Sequence, residues 1–164
     1  MPGRKLALVL AGFCSAASAA PSLYITTEHP LTQGTAPHIV PSGLAERVRE
    51  IAVRAGVKYT LQQYPWKRAY AMALEQPNGC VYATSRTAER EALFKWAGPF
   101  DVNEWILAGR AGRDYQIKTL ADARKYRIGT YNGDARHEYL SAQGFNVDPA
   151  QTDSVNPQKL LMGR

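Results

Sequence analysis

The sequence predicts an α/β fold in which a mainly parallel sheet carries helices on both faces. Up to residue 83, segments of strand-like composition alternate with segments of helical periodicity, in the order strand, helix, strand, helix, strand. This order indicates right-handed crossovers between parallel strands, with ligands bound beyond the carboxyl ends of those strands. The 164 residues, of which 45% are hydrophobic, are sufficient for a packed core.

Residues 1–19 have the composition of a secretory signal peptide. Arg4 and Lys5 precede an apolar run, Leu6 to Phe13, and small residues follow up to Ala19. The apolar run is too short to span a bilayer. We therefore expect cleavage after Ala19.

Cysteine and charge content narrow the class of protein further. Cys80 is the only thiol left once Cys14 is removed with the signal peptide, so no intrachain disulfide is expected. Export without a disulfide is typical of a bacterial periplasmic protein that relies on packing, and Cys80 itself, in an apolar run, reads as an inert core thiol. The net charge of +6 comes without a Lys/Arg run, which argues against nucleic-acid binding. His29 and His38 lack a second ligand cluster, so we predict neither a metal nor a cofactor.

The amino-terminal elements follow from periodicity and caps. A strand is predicted at Leu23–Thr27, followed by a long loop up to Pro41. Ser42 is placed to cap a helix over residues 43–55, and alternation predicts a half-buried strand over residues 57–62. The predicted buried face of this helix is Leu44, Val48, Ile51, Ala52 and Ala55.

Pro65 starts the next predicted helix, and a short apolar run from Cys80 to Ala83 suits a strand buried on both faces. Tyr70, on the second helix, reads as a core aromatic residue. Further along, we predict strands over residues 104–109 and 127–131, and helices that begin at Thr119, after Asp134 and at Asn156.

The strand at Cys80–Ala83 ends in residues that can bind an anion. Thr84 and Ser85 carry hydroxyls, and Arg86 and Arg90 follow four residues apart. A guanidinium presents a planar fork that matches a carboxylate or a phosphate. The alternative is that both arginines pair with neighbouring glutamates on a solvated helical turn.

The same stretch resembles a known family. Its pattern is similar to the first-lobe signature of the family 3 extracellular solute-binding proteins, periplasmic receptors of ABC importers for polar amino acids, and is carried by Ser85, Thr87, Arg90, Phe94 and Gly98-Pro99-Phe100. The resemblance implies a two-lobed periplasmic-binding-protein-like fold, a small polar or carboxylated ligand and an inner-membrane ABC permease as partner. It also implies that Arg90 holds the ligand carboxylate, with Thr84 and Ser85 beside it.

Further site residues follow from the resemblance, each with a structural alternative. Glu28, in the loop after the first strand, could meet a ligand ammonium or be a solvated acid. Pro65 to Ala69 is similar to a Pro-Trp-x-Arg-Ala element of one branch of the family, so Trp66 could stack on a ligand, with Arg68 nearby; otherwise Trp66 is a core residue. Asp134 stands where the family has hydroxyls that touch the ligand, or it serves only as a helix N-cap.

The resemblance divides the chain into a first lobe over residues 20–109 and the start of an incomplete second lobe over residues 110–164. It implies ligand capture by hinge closure and no chemistry. Two alternatives remain: a periplasmic sensor that is not coupled to import, and an enzyme similar to cyclohexadienyl dehydratase. The sequence contains no Gly-x-Ser-x-Gly, His-Glu-x-x-His, phosphate-loop or paired-carboxylate pattern that would favour the enzyme.

Overall fold

The computed structural model describes residues 21–33 and 40–164, in which two α/β units each have their own sheet and core. The predicted signal peptide and His38 lie outside the described residues. The strands are β1 (Leu23–Thr27), β2 (Thr32–Gln33), β3 (Val40–Pro41), β4 (Tyr59–Gln63), β5 (Gly79–Val81), β6 (Arg127–Tyr131) and β7 (Asn146–Ala150). The α-helices are α1 (Gly43–Arg54), α2 (Trp66–Glu75), α3 (Ala135–Ala142) and α4 (Asn156–Leu161), and 3-10 helices cover Ala88–Leu93, Leu120–Lys125 and Asp153–Val155.

The first unit is built on a parallel sheet of order β4-β1-β5. Because β1 is central, successive side chains bury on opposite faces. Ile25 packs with Val48 of α1 on one face. On the other face, the Thr26 hydroxyl donates to the Ala69 carbonyl of α2 across 2.9 Å. Helices therefore cover both faces, as the sequence predicted, and the predicted α/β fold class is confirmed.

Helix α1 begins where the sequence predicted, because the Ser42 hydroxyl accepts from the Ala45 amide at 3.2 Å. Its buried stripe is Ala45, Val48 and Ala52. Ile51, predicted to be buried, is instead 53% exposed. It lies at the edge of this stripe, since the helix turns Ala45 toward the sheet.

Strand β5 is less buried than the sequence suggested. All three of its residues are half-buried, and β1 is its only strand partner among the described residues. Both faces are packed, one against α2 and the other against the core that contains Ile25 and Val48, but the hydrogen-bonding edge without a described strand partner leaves the strand residues partly accessible. The predicted burial is therefore only partial. The short apolar run alone does not distinguish a central strand from an edge strand.

The strand predicted over residues 104–109 is absent from the described structure. Residues 101–110 pair with no described strand, and Val102 and Ile106 are 85% and 80% exposed. Apolar and β-branched residues indicate a preference for extended backbone, but a strand also needs an adjacent edge to pair with. Here the segment runs over the surface, with Trp105 packed against Tyr139 at 6.0 Å between ring centroids.

The second unit is a parallel pair, β6-β7, with Ile128 opposite Val147. Its core contains Ala123, Leu140 and Phe145. Helix α3 begins directly after Asp134, as the sequence predicted. No helix within residues 21–33 and 40–164 has the length and apolar character needed to cross a bilayer.

Candidate functional site

The carboxyl ends of the strands in the two units come together, and the chain segments that leave them are in contact; we call this junction the cleft. Glu28 follows β1, Trp66 follows β4 after a short turn, and Gly133 follows β6. Hydrogen bonds join the two sides at Trp66 to Gly133 and at Tyr131 to Glu28. The sequence placed ligand contacts at this end of the sheet, and the structure puts polar side chains there.

Arg90 is the most enclosed charged group in this cleft. It lies on the 3-10 helix Ala88–Leu93, and its side chain is only 4% exposed. Its Nη2 atom donates to the Gly133 carbonyl at 3.0 Å and to a Glu138 carboxylate oxygen at 2.9 Å. We call Arg90, Trp66, Tyr70, Gly133 and Glu138 the Arg90 cluster.

Two aromatic rings complete the Arg90 cluster. The guanidinium carbon lies 5.0 Å from the Tyr70 ring centroid and 5.7 Å from that of Trp66, within the range of cation–π attraction. Trp66 also donates its indole N–H to the Gly133 carbonyl at 2.6 Å, so that carbonyl accepts from both Trp66 and Arg90. Burial raises the pKa of the Tyr70 phenol, while the Arg90 charge lowers it.

Glu28 takes part in a second contact across the cleft. The Tyr131 hydroxyl donates to a Glu28 carboxylate oxygen at 2.6 Å. Tyr131 is buried, and its pKa is raised first by burial and then by the hydrogen bond to Glu28. Glu28 thus lies on the cleft rather than in open solvent, half-buried and in contact with the second unit.

Thr84 and Ser85 line a cavity that is separate from the Arg90 cluster. Both are half-buried and line a cavity of about 550 Å³ together with Arg86 and Trp96. Arg90 is not among the residues that line it. The structure therefore separates the two hydroxyls from the arginine with which the sequence had grouped them.

Arg86 and Arg90 have opposite environments. Arg86 binds Glu91 through Nε at 2.7 Å and Nη2 at 2.5 Å, and its side chain is 57% exposed. It matches the alternative of a solvated pair on a helical turn. Arg90 does not, because it is buried and its acidic partner lies in the second unit.

Two other candidates are accounted for by local contacts. Arg68 is exposed, and its guanidinium lies 4.4 Å from the Tyr64 ring centroid, outside the Arg90 cluster. Asp134 is buried, caps α3 by accepting from the Arg136 amide at 3.2 Å, and binds the Arg136 guanidinium at 2.7 Å. Its negative charge is thereby compensated within its own helix turn.

Sequence reasoning missed three members of this region. Tyr70 had been interpreted as a plain core residue, and neither Glu138 nor Tyr131 had been assigned a contact. Both contacts join residues far apart in the chain, 48 positions for Glu138 with Arg90 and 103 for Tyr131 with Glu28, so no local pattern indicates them. Among the described residues, no group of three or more His, Cys, Asp or Glu side chains could hold a metal ion.

The chain matches no family model and no curated protein. It does resemble solved structures. An ancestral arginine-binding protein bound to glutamine is 21% identical, with a TM-score of 0.64, and an ancestral arginine-binding protein bound to arginine is 20% identical, also with a TM-score of 0.64. Holo ArgBP from T. maritima is 19% identical, with a TM-score of 0.66.

These likenesses extend over most of this chain but not over the whole of the other proteins. In each case 87% of this chain is covered, and the chain spans 66% of the length of the matched protein. At such identities the comparison shows the fold. The chain has an α/β architecture of the periplasmic-binding-protein-like kind, and its structural neighbours are described as binding proteins.

Proposed function

We propose that the chain is a periplasmic solute-binding protein that captures a small polar solute, amino-acid-like or otherwise carboxylated, at the Arg90 cluster. The observation that carries the proposal is the burial of the Arg90 guanidinium, which lies against two aromatic rings and contacts the second unit. A buried cation requires an anionic partner; Glu138 provides one in the structure, and a ligand carboxylate would fit the same planar fork.

The structural neighbours support this choice of ligand. Their descriptions name arginine and glutamine as bound ligands. Both molecules carry a carboxylate and an ammonium on the same carbon. In our proposal Arg90 takes the carboxylate and Glu28, which already accepts a hydrogen bond at the cleft, takes the ammonium.

Trp66 has a supporting role in this proposal. Its ring lies beside Arg90 and its N–H is bound to Gly133, so it forms an apolar wall that holds the two units together. Thr84 and Ser85 line the neighbouring cavity, where they would contact a solute that extends beyond Arg90. Arg68 and Asp134 are engaged elsewhere, and we propose no direct ligand contact for either.

Export and transport belong to the same proposal. The signal-peptide composition of residues 1–19 supports a periplasmic location, and the fold supports delivery of the solute to an ABC permease, without catalysis by the chain itself. Cell fractionation after deletion of residues 2–19 tests the location, since retention in the cytoplasm is expected. A strain that lacks the chain should take up less of the solute, and unchanged uptake would favour a sensor.

The binding experiment is calorimetric titration of the purified chain with L-arginine and with L-glutamine. Replacing Arg90 with alanine should cost about 2–5 kcal/mol of affinity, as expected when one partner of a buried charge pair is removed. Arg54→Ala is the matched control, because Arg54 is 78% exposed at the end of α1 and pairs there with Glu50; its affinity should remain that of the wild type. Equal loss in both variants, or none in Arg90→Ala, would reject Arg90 as the anchor.

A further inference from the structure

We propose that Glu138 competes with the ligand carboxylate for Arg90 and so determines which solutes the site accepts. This inference rests on the proposed function in one respect, that Arg90 is the carboxylate anchor. In the structure that anchor is already in contact with a carboxylate, because a Glu138 oxygen lies 2.9 Å from Nη2.

The geometry of the guanidinium makes this contact a competitive one. A guanidinium can bind a carboxylate with two parallel hydrogen bonds along either of two edges, one formed by Nε and Nη2, the other by the two Nη atoms. Both edges include Nη2. In Arg90, Nη2 is the atom that donates to Gly133 and to Glu138, so a ligand carboxylate gains a two-point contact only by displacing one of them.

Glu138 is the partner that can move. Its side chain is 49% exposed at the surface of α3, so a rotamer change takes its carboxylate into solvent. The Gly133 carbonyl cannot leave in this way, because it is a backbone group that also accepts from Trp66 at 2.6 Å. The contact that yields to a ligand is therefore the Glu138 carboxylate.

Charge balance favours replacement of this carboxylate by another one. Arg90 is almost fully buried, so a ligand that displaced Glu138 without supplying an anion would leave the guanidinium poorly compensated. A carboxylated solute exchanges one anion for another at the same nitrogen. Glu138 thereby discriminates against solutes that lack a carboxylate and weakens the binding of carboxylated ones.

The first test compares the wild type with Glu138→Gln by calorimetry, using L-arginine and agmatine, which has the same side chain without the carboxylate. Loss of the competing anion should tighten L-arginine binding about fivefold or more and leave agmatine binding unchanged. Glu91→Gln is the matched control, because it removes the acidic partner of the exposed Arg86. Unchanged L-arginine affinity in Glu138→Gln, or an equal gain for agmatine, would overturn the inference.

A second measurement does not depend on the proposed ligand. Phenylglyoxal modifies accessible arginines, and mass spectrometry of peptides reports the rate at each one. Glu138→Gln should speed modification of Arg90 severalfold, and acetate, as a simple carboxylate, should protect Arg90 at lower concentration than in the wild type. Glu91→Gln should change the rate at Arg86 and leave Arg90 as it was.

The two measurements separate the two proposals. If neither L-arginine nor agmatine binds any variant, the proposed function fails for these solutes, while the acetate protection still decides the role of Glu138. Faster modification of Arg90 in Glu138→Gln, together with protection at a lower acetate concentration, supports competition by Glu138. An unchanged rate at Arg90, or unchanged protection by acetate, rejects it.

Discussion

Arg86 and Arg90 are identical side chains four residues apart, yet the fold gives them different roles. Arg86 forms a two-point pair with Glu91 in solvent, where such pairs contribute little to stability. Arg90 lies against the Tyr70 and Trp66 rings and reaches a carboxylate of the other unit. The guanidinium that is withdrawn from water is the one suited to recognise an anion, since its interactions are least screened.

Tyr131→Phe tests the contact between Tyr131 and Glu28. It removes the only hydrogen bond that the structure describes for Tyr131 Oη and should lower the free energy of unfolding by about 1 kcal/mol at pH 7. The folded state raises the pKa of this phenol, so its contribution is complete below the pKa of an unfolded tyrosine, about 10, and is lost as the pH rises further. Urea denaturation of both proteins from pH 7 to pH 11 should show the difference shrinking above pH 10.

Tyr139→Phe is the control for that experiment. Tyr139 is 46% exposed and lies on α3, the helix that follows Tyr131. Its replacement should change stability by less than about 0.5 kcal/mol at any of these pH values. A constant difference for Tyr131→Phe across the pH range would show that the Tyr131 phenol is not held neutral by burial and Glu28.

The sequence predicted the structural role of a single residue correctly where that role depends on its near neighbours in the chain. Ser42 was predicted to be a helix cap, and capping was one of the two alternatives for Asp134; the structure places both as caps, and a cap depends only on neighbours two or three positions away. The resemblance drew attention to Arg90, and its role as anchor stays a prediction. Glu138 could not be foreseen, because its contact with Arg90 joins two different units and residues 48 positions apart in the chain.

Elements with strong periodicity were predicted well. Strands β1 and β6 lie over the predicted residues, α1 ends one residue before its predicted end, and α3 begins directly after Asp134 as predicted. Strand β7 was missed, since Asp148 and Pro149 are residue types that strands disfavour. Among the described strands, β7 pairs only with β6, so one of its edges is unpaired. A proline is tolerated at such an edge position, and the strand can therefore form.

The last helix shows how tertiary contacts replace local stability. Helix α4 has six residues, too few to persist in isolation. The Asn156 amide donates to the Thr130 carbonyl at 3.0 Å, and the Lys159 ammonium lies 2.8 Å from the Asp148 carboxylate, whose pKa it lowers. The sequence indicated where this helix begins but not these anchors to β6 and β7.

Gly79→Ala tests the junction of α2 and β5. A Cβ at Gly79 would lie 2.9 Å from the backbone oxygens of Met72 and Gln76, which are not free to move aside. We expect the free energy of unfolding to fall by about 1–3 kcal/mol, as measured by urea denaturation. Gly43→Ala is the matched control, because nothing lies within 4 Å of its Cβ; stability should be equal or higher by up to about 1 kcal/mol. Equal effects of the two substitutions would contradict the close approach.

The whole molecule is two small α/β units whose described polar contacts across the cleft come from few residues. Trp66 and Arg90 reach Gly133, Arg90 also reaches Glu138, and Tyr131 reaches Glu28. Two separate hydrophobic cores support the units independently. Such an arrangement suits rigid-body opening and closing, because few bonds need to break.

The extended segment over residues 101–109 also matters for the whole molecule. With Val102 and Ile106 largely exposed, it presents apolar surface of the kind that promotes association. Ile106→Glu should reduce concentration-dependent self-association, as measured by analytical ultracentrifugation. Val53→Glu is the control, since Val53 is 70% exposed on α1, and this substitution should leave association unchanged. Equal reduction by both would indicate a general effect of net charge rather than this segment.

The shared Gly133 carbonyl has a consequence for how the site can drift over evolutionary time. Its oxygen belongs to the backbone, so no codon change at position 133 deletes the acceptor itself. Mutations can change this arrangement only indirectly. They can replace Gly133, whose φ of +75° favours glycine, or one of the two donors, Trp66 and Arg90. Under the proposed function, relatives of this chain should therefore differ at Glu138, and so in the solutes they prefer, more readily than at Trp66 and Arg90.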